Sequence, residues 1–91
     1  MIIELSGQYH LMYQTFIGKH ADLKQTVIER VKFFRNNPND TRLRTHALRK
    51  RLKGTFSFSI TNDIRIVFEW VGKTKVRFLA IGSHKNVYGK K

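Results

Sequence analysis

The chain has 91 residues, which suits a single domain spanning 1–91 with a modest core, and a hydrophobic content of 41% argues against wholesale disorder. Its 18 lysines and arginines against 6 acidic residues give a formal net charge of +12, which favours an acidic partner, nucleic acid above all. The few acidic residues leave little material for paired-carboxylate chemistry, and the absence of cysteine excludes disulfides and thiolate metal sites.

The amino-terminal segment and the hydropathy of the chain favour a cytoplasmic protein. Met1–Ser6 is too short and too polar for a signal peptide, and no apolar run reaches the length of a membrane span. The histidines form no local ligand pair, so we expect no metal and no other cofactor.

The amino-terminal half predicts one strand and two helices. Ile2–Leu5 is a short apolar run that could form a strand, and Ser6 is a suitable helix cap. A second helix is predicted from Ala21 to about Arg35, and the segment around Pro38 stops it. Between Ser6 and Gly18, apolar side chains recur with the spacing of an amphipathic helix: Tyr9, Met12, Tyr13, Phe16 and Ile17.

The carboxyl-terminal half predicts three strands joined by tight turns. Residues 55–61 alternate large apolar residues with serine and threonine, which is the period of a strand. Ile64–Val71 and Lys75–Ile81 are the next two strands; Gly82 ends the last one, and a short tail follows. The order β-α-α-β-β-β predicts an α+β domain, with both helices packed on one face of a small antiparallel sheet.

A run of basic residues connects the helices to these strands. Between Arg42 and Lys53 the chain has no acidic residue and one histidine, His46. We expect an extended or irregular segment, in which dense positive charge is tolerated because it binds phosphates; the alternative is an ordinary solvated charge run. The cations expected to contact RNA are Arg44, Arg49, Lys50, Arg51 and Lys53 in the run, with Lys85 beyond the last strand.

Three segments of the chain resemble the RelE/ParE superfamily of bacterial toxins, and in particular its RelE, YafQ and YoeB branch. They are Leu43–Gly54, Phe56–Phe68 and Phe78–Tyr88, and the element order matches over nearly the whole chain. The resemblance implies a RelE-like fold and a toxin of a type II toxin–antitoxin system that cuts mRNA on the ribosome and inhibits translation. It implies metal-free cleavage, in which the 2′-hydroxyl attacks the adjacent phosphate to leave a 2′,3′-cyclic phosphate. It also implies an acidic antitoxin as partner, held with the toxin in a hetero-oligomer.

The same resemblance implies catalytic roles for individual residues. Arg65 on the middle predicted strand suits stabilisation of charge on the reacting phosphate, and its alternative is a structural pair with Glu69. His46 and His84 can move protons near neutral pH, and Tyr88 could contact a base or a phosphate. The remaining family match, the turn aspartate Asp63, is the weakest of the five catalytic candidates, because an aspartate at a turn is usually explained by turn geometry.

Two departures from the family pattern leave the general base open. Ser59 stands where YafQ-like proteins have another catalytic histidine, and the glutamate base of YoeB has no counterpart between Asp40 and Arg51. A ParE-like inhibitor of DNA gyrase without RNase activity is therefore the alternative function. A non-catalytic RNA-binding protein or decayed toxin is a further one.

Overall fold

A five-stranded sheet and two 13-residue helices form the part of the chain that the computed structural model describes, residues 1–49 and 52–88. Lys50, Arg51 and residues 89–91, and also the side chains of Asn86 and Tyr88, lie outside what is described. The elements in chain order are β1 (Ile2–Leu5), α1 (Gly7–Lys19), α2 (Lys24–Asn36), β2 (His46–Ala47), β3 (Phe56–Ser59), β4 (Ile64–Trp70), β5 (Lys75–Ser83) and α3 (His84–Tyr88). Short 3-10 turns at Ala21–Leu23 and Thr41–Leu43 precede α2 and β2.

The strands are arranged in the order β1-β5-β4-β3-β2, and the predicted α+β fold with two amino-terminal helices is confirmed. The sheet is mixed, however, because β1 pairs in parallel with β5 while the other neighbours are antiparallel. Two helices lie between β1 and the rest of the sheet, so the connection is long enough for a parallel return. None of the helices in the described ranges is long and apolar enough to cross a membrane.

The two ends of the carboxyl-terminal half also differ from the prediction. Part of the basic run forms β2, in which His46 and Ala47 pair with β3 at the edge of the sheet. This strand is held by backbone pairing and has no apolar alternation to mark it in the sequence. Gly82 does not end β5, which runs on to Ser83, and the tail forms the short helix α3.

An aromatic cluster fills the core between the helices and one face of the sheet. Phe34 of α2 is fully buried, with its ring centroid 4.4 Å from that of Phe58, 4.8 Å from that of Phe68 and 5.8 Å from that of Phe78. The stripe of α1 also packs here, through Tyr9 and its apolar neighbours on the same helix face. Phe58, Phe68 and Phe78 are therefore core side chains of the sheet.

Polar contacts fasten the loop that follows α2. Arg42 donates hydrogen bonds to Asp40 from Nε at 3.0 Å and from a terminal guanidinium nitrogen at 2.7 Å. Its guanidinium carbon also lies 3.8 Å from the ring centroid of Phe33, while Arg30 donates to the Arg42 carbonyl at 2.8 Å. Arg42 is therefore engaged in the fold, although it lies at the start of the basic run.

The stability that this loop contributes to the fold should depend on pH through Asp40. The side-chain and backbone hydrogen bonds from Arg42 lower the pKa of Asp40 to about 2. Because the folded-state pKa lies below the ordinary value of 3.8, the stabilisation is full above about pH 4 and is lost as the pH falls towards 2. Urea unfolding of the wild type and Asp40→Asn should show a difference at pH 6 that shrinks between pH 4 and pH 2. An unchanged difference over that range would contradict this account of the loop.

Candidate functional site

The sheet face opposite α1 and α2 presents one arginine beside a buried hydroxyl. Alternation along β3 and β4 directs Phe58 and Ile66 to the core, so Ser59 and Arg65 lie on the opposite face. Ser59 is only 5% exposed, and a terminal nitrogen of Arg65 donates a 2.6 Å hydrogen bond to its Oγ. The β5 neighbour of Arg65 is Gly82, so that strand adds no side chain at this position.

Arg65 has unused hydrogen-bonding capacity. Its side chain is half-buried, and its Nε is buried without a partner among the described residues. A buried N–H left without a partner typically costs about 1–3 kcal/mol, and an oxyanion such as phosphate is a suitable acceptor for a guanidinium. The orientation of Arg65 by Ser59 therefore leaves a cation that could bind an anionic ligand on this face.

The expected alternative pair of Arg65 with Glu69 is not formed. Glu69 instead accepts a 3.0 Å hydrogen bond from Arg77 on β5, and Arg77 also donates to Glu4 at 2.8 Å. The hydrogen bond from Arg77 lowers the pKa of Glu4. Both carboxylates are therefore paired with Arg77, further along the sheet from Arg65. Within residues 1–49 and 52–88, Arg65 forms no ion pair.

His84 and Asp63 meet through their backbones at the end of the sheet nearest Arg65. The His84 N–H donates to the Asp63 carbonyl at 2.9 Å, which holds the start of α3 against the turn before β4. Both residues are exposed. Thr61 Oγ1 accepts from the backbone N–H of Asp63 at 3.3 Å and of Ile64 at 3.1 Å, so turn geometry explains an aspartate here.

His46 lies on the same face as Arg65, two strands away. It pairs in register with Ser57 of β3, and Ser57 is two residues from Ser59 on the same side of that strand. The imidazole is exposed, and its Nδ1 is 3.0 Å from the carbonyl oxygen of Arg44. In the order of the strands, His46 on β2 lies two strands from Arg65 on one side, and His84 follows β5, the neighbouring strand on the other side.

The carboxyl-terminal helix covers a different part of this face. α3 packs on β4 and β5, and Val87 lines a cleft of about 360 Å³ with Val67, Leu79 and Ala80. Tyr88 belongs to this helix, but its side chain is outside the described set, so its predicted contact with substrate is untested.

Exposed cations lie in the basic run, and one more lies in α3. Four of the six predicted RNA-contacting residues are described; all four are exposed, and none forms an ion pair with a described residue. They are Arg44, Arg49, Lys53 and Lys85. No cluster of three or more metal-binding side chains occurs among the described residues.

Sequence reasoning missed two features of the site. One is Ser59 as the partner of Arg65, which pairing the two strands about the turn at Asn62 could have revealed. The other is the backbone of Arg44, whose φ of 51° has no signal in the sequence because glycine or asparagine is the usual residue there.

The fold is shared with solved structures of YafQ and of YoeB. YafQ from E. coli strain BL21(DE3) is similar at 21% identity with a TM-score of 0.81, over 96% of this chain and 97% of that one. YafQ in the E. coli DinJ–YafQ complex is also similar, at 21% identity and a TM-score of 0.78 over 96% and 97%. A third structure, the heterotetrameric YoeB–YefM toxin–antitoxin complex from Staphylococcus aureus, matches at 19% identity and 0.72 over 92% and 97%. No family model and no curated protein matches the chain.

Proposed function

We propose that the protein is the toxin of a type II toxin–antitoxin system and an endoribonuclease that cuts mRNA on the ribosome. The observation that carries the proposal is Arg65, a half-buried cation oriented by Ser59 on the sheet face opposite α1 and α2, with no ion pair among the described residues. The sequence segments that resemble the RelE, YafQ and YoeB branch support it. Cleavage of mRNA in this way would inhibit translation.

Metal-free cleavage at this site would follow a simple order. A base removes the proton of the 2′-hydroxyl, the oxygen attacks the adjacent phosphorus, and an acid protonates the departing 5′-oxygen. The products are a 2′,3′-cyclic phosphate and a 5′-hydroxyl. Arg65 would stabilise the charge that builds on the phosphorane, because a guanidinium stays charged and can donate two parallel hydrogen bonds.

The remaining candidates take supporting roles around Arg65. His46 on β2 and His84 at the end of β5 would move the two protons, since an imidazole ring can both accept and donate a proton. A serine hydroxyl is a poor base, so Ser59 would hold Arg65 and would not replace the histidine of YafQ-like proteins. Tyr88 would contact the substrate, and Asp63 is kept as the weakest candidate.

The exposed cations Arg44, Arg49, Lys53 and Lys85 would bind RNA phosphates without recognising a base sequence. They would also attract the acidic segment of an antitoxin, which we propose as the partner of this chain in a hetero-oligomer. The YoeB–YefM toxin–antitoxin complex, which has a similar fold, supports that assignment. The proposed site of action is the cytoplasm, where the ribosome and mRNA are found.

Induced expression of the full chain in bacteria tests the activity. We expect growth arrest, primer-extension stops at in-frame positions of translated mRNA, and fragments that end in a 2′,3′-cyclic phosphate. An inhibitor of translation that prevents ribosomes from engaging mRNA should remove the cuts. Intact mRNA in cells that contain the folded, antitoxin-free protein would contradict the proposal.

One observation favours a second candidate, a ParE-like inhibitor of DNA gyrase. Ser59 occupies the position of a catalytic histidine of YafQ-like proteins, so the chain lacks one expected proton-transfer group. A supercoiling assay with purified gyrase separates the two functions. Inhibited gyrase together with uncut mRNA would support the second candidate, and active gyrase with cut mRNA would exclude it.

A further inference from the structure

Arg44 has a backbone conformation that its side chain does not favour. It is the one non-glycine residue of the described chain with a positive φ, and its φ of 51° and ψ of 45° are left-handed. L-residues with a Cβ rarely adopt this conformation unless the surroundings impose it.

The two neighbours of Arg44 explain how the conformation is imposed. Leu43 is fully buried in the core, and Thr45 donates a 2.8 Å hydrogen bond from its hydroxyl to the carbonyl of Pro38. Arg44 therefore connects two anchored residues, and its N–H bonds to the Thr41 carbonyl at 3.3 Å. The side chain itself is exposed, so the strain does not arise from packing of the guanidinium.

The conformation of Arg44 places its carbonyl oxygen beside the His46 ring. The carbonyl oxygen of Arg44 lies 3.0 Å from Nδ1 of His46, and a carbonyl can only accept a hydrogen bond. A hydrogen bond between these two atoms therefore requires the proton on Nδ1, which in the neutral ring leaves the lone pair on Nε2. Pairing of His46 with Ser57 in the sheet holds its backbone, so the ring is oriented from both sides.

We propose that Arg44 is a positioning residue whose left-handed backbone fixes the neutral His46 ring with Nε2 as the proton acceptor. In the cleavage reaction proposed above, on which this role rests, Nε2 takes the proton of the 2′-hydroxyl. The electron pair of that O–H bond forms the new O–P bond, and the P–O5′ bond breaks as the 5′-oxygen receives a proton from the acid. The resulting imidazolium keeps its Nδ1–H on the Arg44 carbonyl, a hydrogen bond that becomes charge-assisted.

Substitutions at position 44 separate the backbone from the guanidinium. Glycine adopts a positive φ without strain, so Arg44→Gly removes the cation and keeps the carbonyl in place. Valine is β-branched and disfavours this conformation strongly, so Arg44→Val removes the cation and also moves the carbonyl. The two variants have the same charge, and a difference between them reports the backbone alone.

Ring-nitrogen NMR of the full-length protein above the histidine titration tests the proposal without any substrate. His46 should be the Nδ1–H tautomer in the wild type and in Arg44→Gly, and should shift towards Nε2–H in Arg44→Val. His46→Gln identifies the resonances, and circular dichroism melts check that both variants fold. A wild-type His46 in the Nε2–H form, or identical tautomers in the two variants, would overturn the inference.

Cleavage assays then separate this inference from the proposed function. With the tautomers as expected, RNA should be cut about 10-fold more slowly by Arg44→Val than by Arg44→Gly, because the base is misaligned. Expected tautomers without any cleavage by the wild type would refute the proposed function and leave the positioning of the ring established. Cleavage at equal rates in both variants would refute the catalytic part of the inference.

Discussion

Arg65→Lys should lower the rate of RNA cleavage by about 100-fold or more while leaving the protein folded. Lysine keeps the positive charge, but a single ammonium group cannot hold the Ser59 hydroxyl and also donate two parallel hydrogen bonds to a phosphate. The loss should appear in the cleavage step, measured under single-turnover conditions on ribosomes programmed with a defined mRNA. Binding to the ribosome should change much less, because this variant keeps the exposed cations Arg44, Arg49, Lys53 and Lys85.

Arg77→Lys is the matched control for this substitution. Arg77 is also a half-buried arginine on the same sheet face, but it is bonded to Glu4 and Glu69, away from the site. Its replacement should lower the free energy of unfolding and leave the cleavage rate within a few fold of the wild type. Equal cleavage by Arg65→Lys and Arg77→Lys would show that Arg65 has no special role.

Phe34→Ala should cost about 3–5 kcal/mol in the free energy of unfolding. The ring is fully buried and touches three other phenylalanine rings, so its removal leaves a cavity between α2 and the sheet. Domains of this size are stable by only about 5–15 kcal/mol, so the loss is a large share of the total. Urea unfolding at neutral pH, followed by far-ultraviolet circular dichroism, measures it.

Phe33→Ala provides the comparison at the adjacent position of the same helix. Phe33 is partly buried and lies under Arg42 at the edge of the core, so its loss should cost clearly less than that of Phe34. The helix propensity change is the same in both variants. A larger cost at Phe33 than at Phe34 would contradict the assignment of the core centre.

The sequence predicted the helices and the three-strand meander because these depend on side-chain periodicity. The stripe of α1 and the alternation of β3 and β4 are patterns of apolar residues, and most of these residues pack in the core. The polar face of β3 is buried as well, at Ser57 and Ser59, which the alternation did not predict. The parallel pairing of β1 and the short strand β2 depend on backbone hydrogen bonds between distant segments. Such pairing leaves little trace in the local sequence.

Parts of the candidate site could be predicted for the same reason, and parts could not. The alternation of side chains along the strand placed Arg65 on the face opposite the core. The alternative prediction, a pair between Arg65 and Glu69, was wrong because it ignored the spacing of residues along a strand. Residues four apart in a strand are about 13 Å apart, while a cross-strand neighbour such as Arg77 is in contact. The tautomer of His46 depends on the conformation of Arg44, and an arginine gives no sequence signal for a left-handed backbone.

The pairing of β1 with β5 also determines when the sheet can be completed during synthesis of the chain. Glu4 and Arg77 are joined across this pair although they are 73 positions apart in the sequence, so the contact must wait until the segment that contains Arg77 has left the ribosome. Pairing between such distant segments is also slow to form. A nascent chain would thus lack its finished sheet while it is being made.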